Sequence, residues 1–306
     1  MRIILLGVLG ALAACGAEGA DTVFDGEMLP DGYIRYTGAP VTLQPGETAQ
    51  YVQWVSGPID RDVDVIDIRG SQGPGGHHAI LYASPDVETI GSTRLWSGAD
   101  QITARFLGGV GGEGITGGMG FPEGAVIRVP AGSGFYIQTH YLNATDEAMK
   151  TSSTLELKVA DPSPDVTPLS MFVVSTLDIA VPTGAPSEQT LACEVQEETA
   201  LVMYVNHIHE TGTSISTSLQ ASGGGSERML KDDPKWNYEW STSPNFQVTT
   251  LDRPLVLHKG DKLTTRCAWD NRSGKTLTFP DEMCAFFTFY KGTNDRACVN
   301  GKWVDI

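Results

Sequence analysis

Short runs of alternating apolar and polar residues recur along the chain, separated by clusters of glycine, proline, asparagine and aspartate. Alternation with a period of two is the mark of a strand with one face buried. In the first half it predicts strands at Tyr51-Val52-Gln53-Trp54-Val55, from Val63 to Ile68, from Ala125 to Val129 and from Phe135 to Leu142. In the second half it predicts strands from Leu201 to Val205, Ser214 to Gln220, Leu255 to Leu257, Lys262 to Ala268 and Ala285 to Tyr290. The glycine-rich stretch from Gly108 to Gly134 reads as successive loops around the single short strand at Ala125. No sustained 3.6-residue period is present, so long helices are not expected. Three prolines, Pro162, Pro164 and Pro168, fall within seven positions of Asp161 to Pro168, which neither a helix nor a central strand accepts. The expectation is an all-β protein of two antiparallel β-sandwich, jelly-roll-like domains in tandem, residues 31–162 and 168–306.

Composition agrees with this picture and narrows the partners. The 306 residues suffice for two domains, and the 35 glycines favour tight turns over helices. A net charge of −16 with no basic patch argues against nucleic acid as a partner. The N-terminus reads as a targeting segment: Arg2, then an apolar run from Ile3 to Leu12 that is too short for a resident membrane span. It ends in Leu12-Ala13-Ala14-Cys15, which resembles a bacterial lipobox. That resemblance implies a signal peptide over residues 1–15, cleavage before Cys15 and acylation of its sulfur. The plainer alternative is an ordinary signal peptide with a chance cysteine. Residues 16–30 are small and polar and read as a tether. The expected location is the bacterial cell envelope, lipid-anchored to the membrane, on a periplasmic or extracellular face.

Four cysteines remain, Cys193, Cys267, Cys284 and Cys298, all in the second half. In an exported chain they read first as two disulfides, with three pairings open. A metal site is the rival reading, although none of them forms a CxxC pair.

The histidines carry the chemistry. Five of the six fall in three compact motifs, His77-His78, His140 and His207-Ile208-His209. Residues i and i+2 of a strand share a face, so His207 and His209 can share one ion without distortion. Adjacent His77 and His78 face opposite ways unless the backbone bulges, and Gly73-Pro74-Gly75-Gly76 can supply the bend. His140, in Gln138-Thr139-His140-Tyr141, is an ordinary strand histidine unless it joins that pair. Met283 defaults to a core position, but its thioether is a soft donor suited to Cu(I).

Taken in order, Gly76-His77-His78-Ala79, Gln138-Thr139-His140-Tyr141, Asn206-His207-Ile208-His209-Glu210 and Asp281-Glu282-Met283-Cys284 resemble the motifs of the copper type II ascorbate-dependent monooxygenases. That family includes the peptidylglycine α-hydroxylating and dopamine β-monooxygenases, which hydroxylate an unactivated C–H bond with O2. Gly260-Asp261-Lys262-Leu263 and Arg266-Cys267 resemble the strand before its methionine. The resemblance covers nearly the whole chain after the targeting segment. It implies two copper ions per chain: one held by His77, His78 and His140 for electron storage, one held by His207, His209 and Met283 for catalysis. It also implies disulfides Cys193–Cys298 and Cys267–Cys284, and ascorbate or another one-electron donor as reductant. Asn206 and Glu210 flank the second set as candidates for orienting it, against the plainer reading of strand-edge solvation. His258 matches no ligand position and reads as structural.

Departures from the family matter. Its animal members carry disulfides in the N-terminal domain, where this chain has no cysteine to form one. Peptide-hydroxylating members have an arginine where Val205 stands, and an asparagine and a tyrosine where Ala285 and Phe287 stand. Those three positions mark a candidate substrate pocket without an anchor for a peptide carboxylate, so the implied small-molecule substrate is apolar and not a peptidylglycine. Two rival readings use other logic. One is a non-catalytic copper-binding envelope lipoprotein, a carrier or sensor with the same ligands. The other is a structural adhesion module, which leaves the clustering of histidines to accident.

Overall fold

Strands fill the sequence runs of alternating burial, and the computed structural model of the chain describes residues 24–97, 100, 103–114 and 117–305. The expected signal peptide, Cys15 and residues 16–23 of the expected tether lie outside the described residues. Within the remainder of that stretch, Glu27–Met28 pair antiparallel with the strand Ile34–Thr37. The only helical element among the described residues is a 3-10 turn, Tyr238–Ser241. Of the described residues, no helix is long and apolar enough to cross a membrane.

The predicted strands are present, several of them longer than expected. Thr48–Ser56, Gly76–Ser84, Arg105–Gly111 and Gly134–Leu142 belong to one five-stranded sheet. Pro186–Glu194, Gly212–Gln220, Arg228–Asp233 and Lys262–Asp270 form a four-stranded sheet. Between them a twelve-stranded sheet runs through both halves of the chain, and it includes Val63–Gln72, Ala125–Val129, Thr167–Ser175, Ala285–Lys291 and Thr199–His207 in that spatial order. The joint is a short parallel pairing of Thr167 with Ala125 and Pro168 with Val126. The proline-rich linker therefore ends at Thr167, where the chain enters the sheet.

Two expectations change on this evidence. Gly108 to Gly111 lies in a strand rather than a loop. Strand glycine marks a close backbone approach. A Cβ on Gly109 would stand 2.5 Å from the Ala79 carbonyl oxygen, and one on Gly111 would stand 1.8 Å from that of Thr242. Pro186–Glu194 was not predicted at all. It is the edge of the four-stranded sheet, and two of its inward positions, Ser187 and Gln189, are polar, which hides the alternation in the sequence.

Two cores follow from these layers. Val65, Ile68, Leu155 and Leu157 from the large sheet pack with Ala79, Leu81, Leu107 and Ile137 from the five-stranded sheet. The same cluster takes in Met171, Val202, Met203 and Phe289 from the second half, so apolar burial also crosses the joint. A second core packs Phe172, Val174, Leu201 and Phe286 with Leu191, Ile215 and Leu263. Both disulfides implied by the resemblance are formed, Cys193–Cys298 across 105 residues and Cys267–Cys284 across 17. On the chain-entropy account, loops of about 100 and about 15 residues stabilise by about 4.7 and about 3 kcal/mol.

A polar latch reinforces the joint. Arg105, in the first half, donates to Thr293 O at 2.9 Å and to Ser170 Oγ at 2.7 Å. Its guanidinium lies 3.6 Å from the buried Asp295 carboxylate, which also accepts from Met171 N. Burial pushes the Asp295 carboxyl above its ordinary range, and Arg105 opposes that shift.

Gly111→Ala is expected to destabilise the chain by about 1–3 kcal/mol, the usual range for overpacking against a backbone that cannot yield. A lowered urea midpoint with unchanged slope reads this out. Gly120→Ala, where a Cβ meets nothing within 4 Å, serves as the near-neutral control.

Candidate metal centres

The first histidine set is built by two neighbouring strands and a slip between them. Gly76–Ser84 and Gly134–Leu142 run antiparallel, with His78 opposite His140. The next pair is Gly76 opposite Tyr141, so His77 is the extra residue of a β-bulge. The bulge cancels the alternation that would send adjacent side chains apart. The rings of His77 and His78 lie 4.6 and 5.2 Å from that of His140. One ring nitrogen from each of the three can be chosen so that all lie within 4.8 Å of one another, a group able to hold a metal ion. His77 Nδ1 is 3.4 Å from His78 Nδ1. Two nitrogens each about 2.0–2.1 Å from one ion at tetrahedral angles stand about that far apart.

The remaining contacts fix which nitrogens are free. His78 Nε2 is 3.1 Å from Gln138 Oε1, and Gln138 Nε2 donates to Gln50 Oε1 at 2.9 Å. That orientation makes Gln138 Oε1 an acceptor, so His78 carries its proton on Nε2 and offers Nδ1. Both ring nitrogens of His140 are buried without a hydrogen-bond partner. A buried nitrogen left unpaired is costly, and a bound cation would satisfy one of them. Burial, with the neighbouring His77 next, depresses His140 to about 3. Burial and then the adjacent histidines hold His78 well below its ordinary value. Both are neutral near pH 7 and present lone pairs.

The second set stands at the end of Thr199–His207 and in the turn after it. The His207 and His209 rings are 5.1 Å apart and nearly perpendicular. His209 Nδ1 lies 3.1 Å from Asp281 O, so this nitrogen donates and Nε2 is left free. His207 is held neutral by burial first and by His209 and His77 next. Glu282 ties the methionine segment to this turn. Its Oε1 accepts from His209 N at 2.5 Å and from Met283 N at 3.0 Å, while Oε2 accepts from Thr211 N and Oγ1. The Cys267–Cys284 disulfide holds the same segment from the next residue.

The structure also places the remaining sequence candidates. Val205 pairs with Phe287 and His207 with Ala285 across neighbouring strands, which puts all four on one face of the sheet. Val205 and Ala285 are buried, so of the three proposed pocket residues only Phe287 keeps exposed surface, with its ring 5.5 Å from His207. Met283, Ala285, Val173 and Ala297 form an apolar cluster against which Phe279, Phe287 and Val299 pack. Asn206 is not solvated at a strand edge: it is fully buried, donates to Asp233 Oδ2 at 2.8 Å and accepts from Thr217 Oγ1 at 2.7 Å. Glu210 is largely exposed but reaches across to the first set, 3.6 Å from His77 Nε2. That contact holds the Glu210 carboxyl below its ordinary range, against the opposing effect of burial. His258 sits apart in an exposed turn, its backbone N–H on Asp261. Gln138 and Glu282 stand within the motifs, but sequence reasoning assigns them no role; the only signal is a polar residue two positions before His140 and one before Met283.

Residues 167–302 match the family described as copper type II ascorbate-dependent monooxygenase, C-terminal domain. Among solved structures, the chain is similar to the infectious bursal disease virus VP2 subviral particle at 11% identity and a TM-score of 0.22, covering 84% of this chain and 71% of that one. It is also similar to oxalate decarboxylase from Bacillus subtilis at 8% identity and a TM-score of 0.15, covering 94% and 77%. Likenesses this distant carry no argument about fold or function.

Two outcomes are expected at these sites. Unfolded histidine titrates near 6.5 and folded His140 near 3, so the unfolded chain binds the extra proton between them. Stability of the metal-free protein should therefore fall as pH drops from 6.5 towards 3, and His140→Phe should flatten that part of the profile. Glu282→Gln should cost about 2–3 kcal/mol, because an amide group would face donors that now share a carboxylate; chemical denaturation measures it.

Proposed function

We propose that this chain, whose residues 167–302 match the C-terminal domain of the copper type II ascorbate-dependent monooxygenases, is a two-copper monooxygenase that hydroxylates an unactivated C–H bond of an apolar small molecule. The single observation that carries the reading is the pair of donor sets: His77, His78 and His140 around one point, and His207 and His209 beside the Met283 segment. One C–H bond becomes C–OH and the other oxygen atom leaves as water, which requires two electrons and two protons from an external donor. Ascorbate or another one-electron donor supplies them. Copper bound at the two sets supplies one-electron storage and activation of O2.

The chain's own residues then have separate tasks. His77, His78 and His140 hold an all-nitrogen set, and Gln138 keeps His78 in the tautomer that binds. His207, His209 and Met283 hold a softer set, which the thioether biases towards Cu(I) and away from zinc. The Asp281 carbonyl orients His209, and Glu282 fixes the methionine segment against the HxH turn. Phe287, on the His207 face, offers an apolar surface to the substrate and helps exclude water. Val205 in place of an arginine removes the cation that would hold a peptide carboxylate, so the substrate is not a peptidylglycine. The chain works in the bacterial cell envelope, anchored through acylated Cys15, where oxidising conditions keep its disulfides formed.

The purified protein is expected to bind two copper ions per chain and to consume O2 with a reductant only when an apolar substrate is hydroxylated. Copper binding without coupled O2 uptake across a panel of apolar and aromatic substrates would instead make it a carrier. Met283→Ala should lower turnover by at least about 100-fold while copper stays bound at the three-histidine set, which separates an orienting role from a donor role.

A further inference from the structure

One acidic side chain stands between the two donor sets. Glu210 follows His209 in the turn after the HxH motif, and its Oε1 lies 3.6 Å from His77 Nε2. A residue of the second half thus reaches an imidazole of the first. His77 turns its other nitrogen, Nδ1, towards His78 Nδ1 at 3.4 Å. At 3.6 Å this is an ion-pair distance and not a hydrogen bond, but a carboxylate facing one ring nitrogen favours the proton on that side and leaves the opposite nitrogen as the donor.

The other histidines show what is particular about this contact. His78 is oriented by the amide oxygen of Gln138, and His209 by the backbone carbonyl of Asp281. Both acceptors are neutral. His140 has no partner at either nitrogen. Glu210 brings a negative charge to an imidazole of the three-histidine set. Its side chain is 63% exposed, and an ion pair so open to water contributes little to folding. The contact is therefore poor as a structural staple but well placed to act on what His77 binds.

We infer that Glu210 is a positioning residue of the three-histidine site: it fixes Nδ1 of His77 as the metal-binding nitrogen and, by its negative charge, favours the oxidised state of the bound copper. Because Glu210 directly follows His209 in the chain, the same residue links the two sites through one turn. The inference rests on the copper reading given above.

The test uses the full chain. Cu(II) is titrated against a competing chelator, and His140→Ala, which removes a donor of the first set only, identifies the binding step that belongs to it. Glu210→Gln is expected to weaken that step by about 10-fold, to change its Cu(II) EPR spectrum and to raise its reduction potential. Glu210→Asp should recover part of each change. The step belonging to His207, His209 and Met283 should move by less than about 2-fold, and the metal-free melting temperature should stay unchanged, as befits an exposed pair. Unchanged affinity, spectrum and potential in Glu210→Gln would overturn the inference while leaving the copper reading intact. If no binding step of the unmodified chain is lost in His140→Ala, the copper reading itself falls and this inference with it.

Discussion

A strand sends successive side chains to opposite faces, so two adjacent histidines can meet at one point only where the ladder slips by a residue. The slip at His77 meets that constraint, and the first donor set depends on it. His78 keeps register with His140, Tyr141 pairs with Gly76, and the extra residue swings its ring to the same side. The glycines just before it make the turn possible: Gly75 adopts φ 70°, a conformation that side chains with a Cβ rarely take. The second set solves the same problem differently. His207 ends a strand and His209 sits in a turn, so a carboxylate rather than a ladder holds the geometry.

Charge is managed consistently around both sets. Burial keeps His78, His140 and His207 neutral, which leaves their lone pairs available. The acidic groups are kept to defined places. Glu282 is fully buried and spends its oxygens on backbone and hydroxyl donors. Glu210 stays at the surface and touches a single imidazole edge. A protein carrying a net charge of −16 thus presents an almost purely nitrogen lining at its first site.

Much of this was legible in the chain itself. Period-two alternation marked the central strands because those strands have one face in a core, and Ala125–Val129 and Leu255–Leu257 match the sequence reading at both ends. The histidine clusters and the bend before His77 were visible because few residues can do that chemistry. The glycines at 108–111 misled for a physical reason. Glycine is common in loops, yet here it lets one backbone lie against another, and that information belongs to the neighbour and not to the local sequence. Likewise nothing near Asn206 in the chain announces Asp233 or Thr217, which bury it. The partners of His78 and His209, Gln138 and Asp281, lie inside recognised motifs, but their roles depend on which atom faces which nitrogen.

The short parallel joint between Ala125–Val129 and Thr167–Ser175 has a further effect. A strand edge stripped of its neighbour is adhesive towards any passing chain, and so is an apolar surface such as that of Met171 and Phe289. Each half here is the cover for the other. The protein therefore guards its stickiest surfaces with its own covalently attached partner, which protects it from clumping wherever it is concentrated.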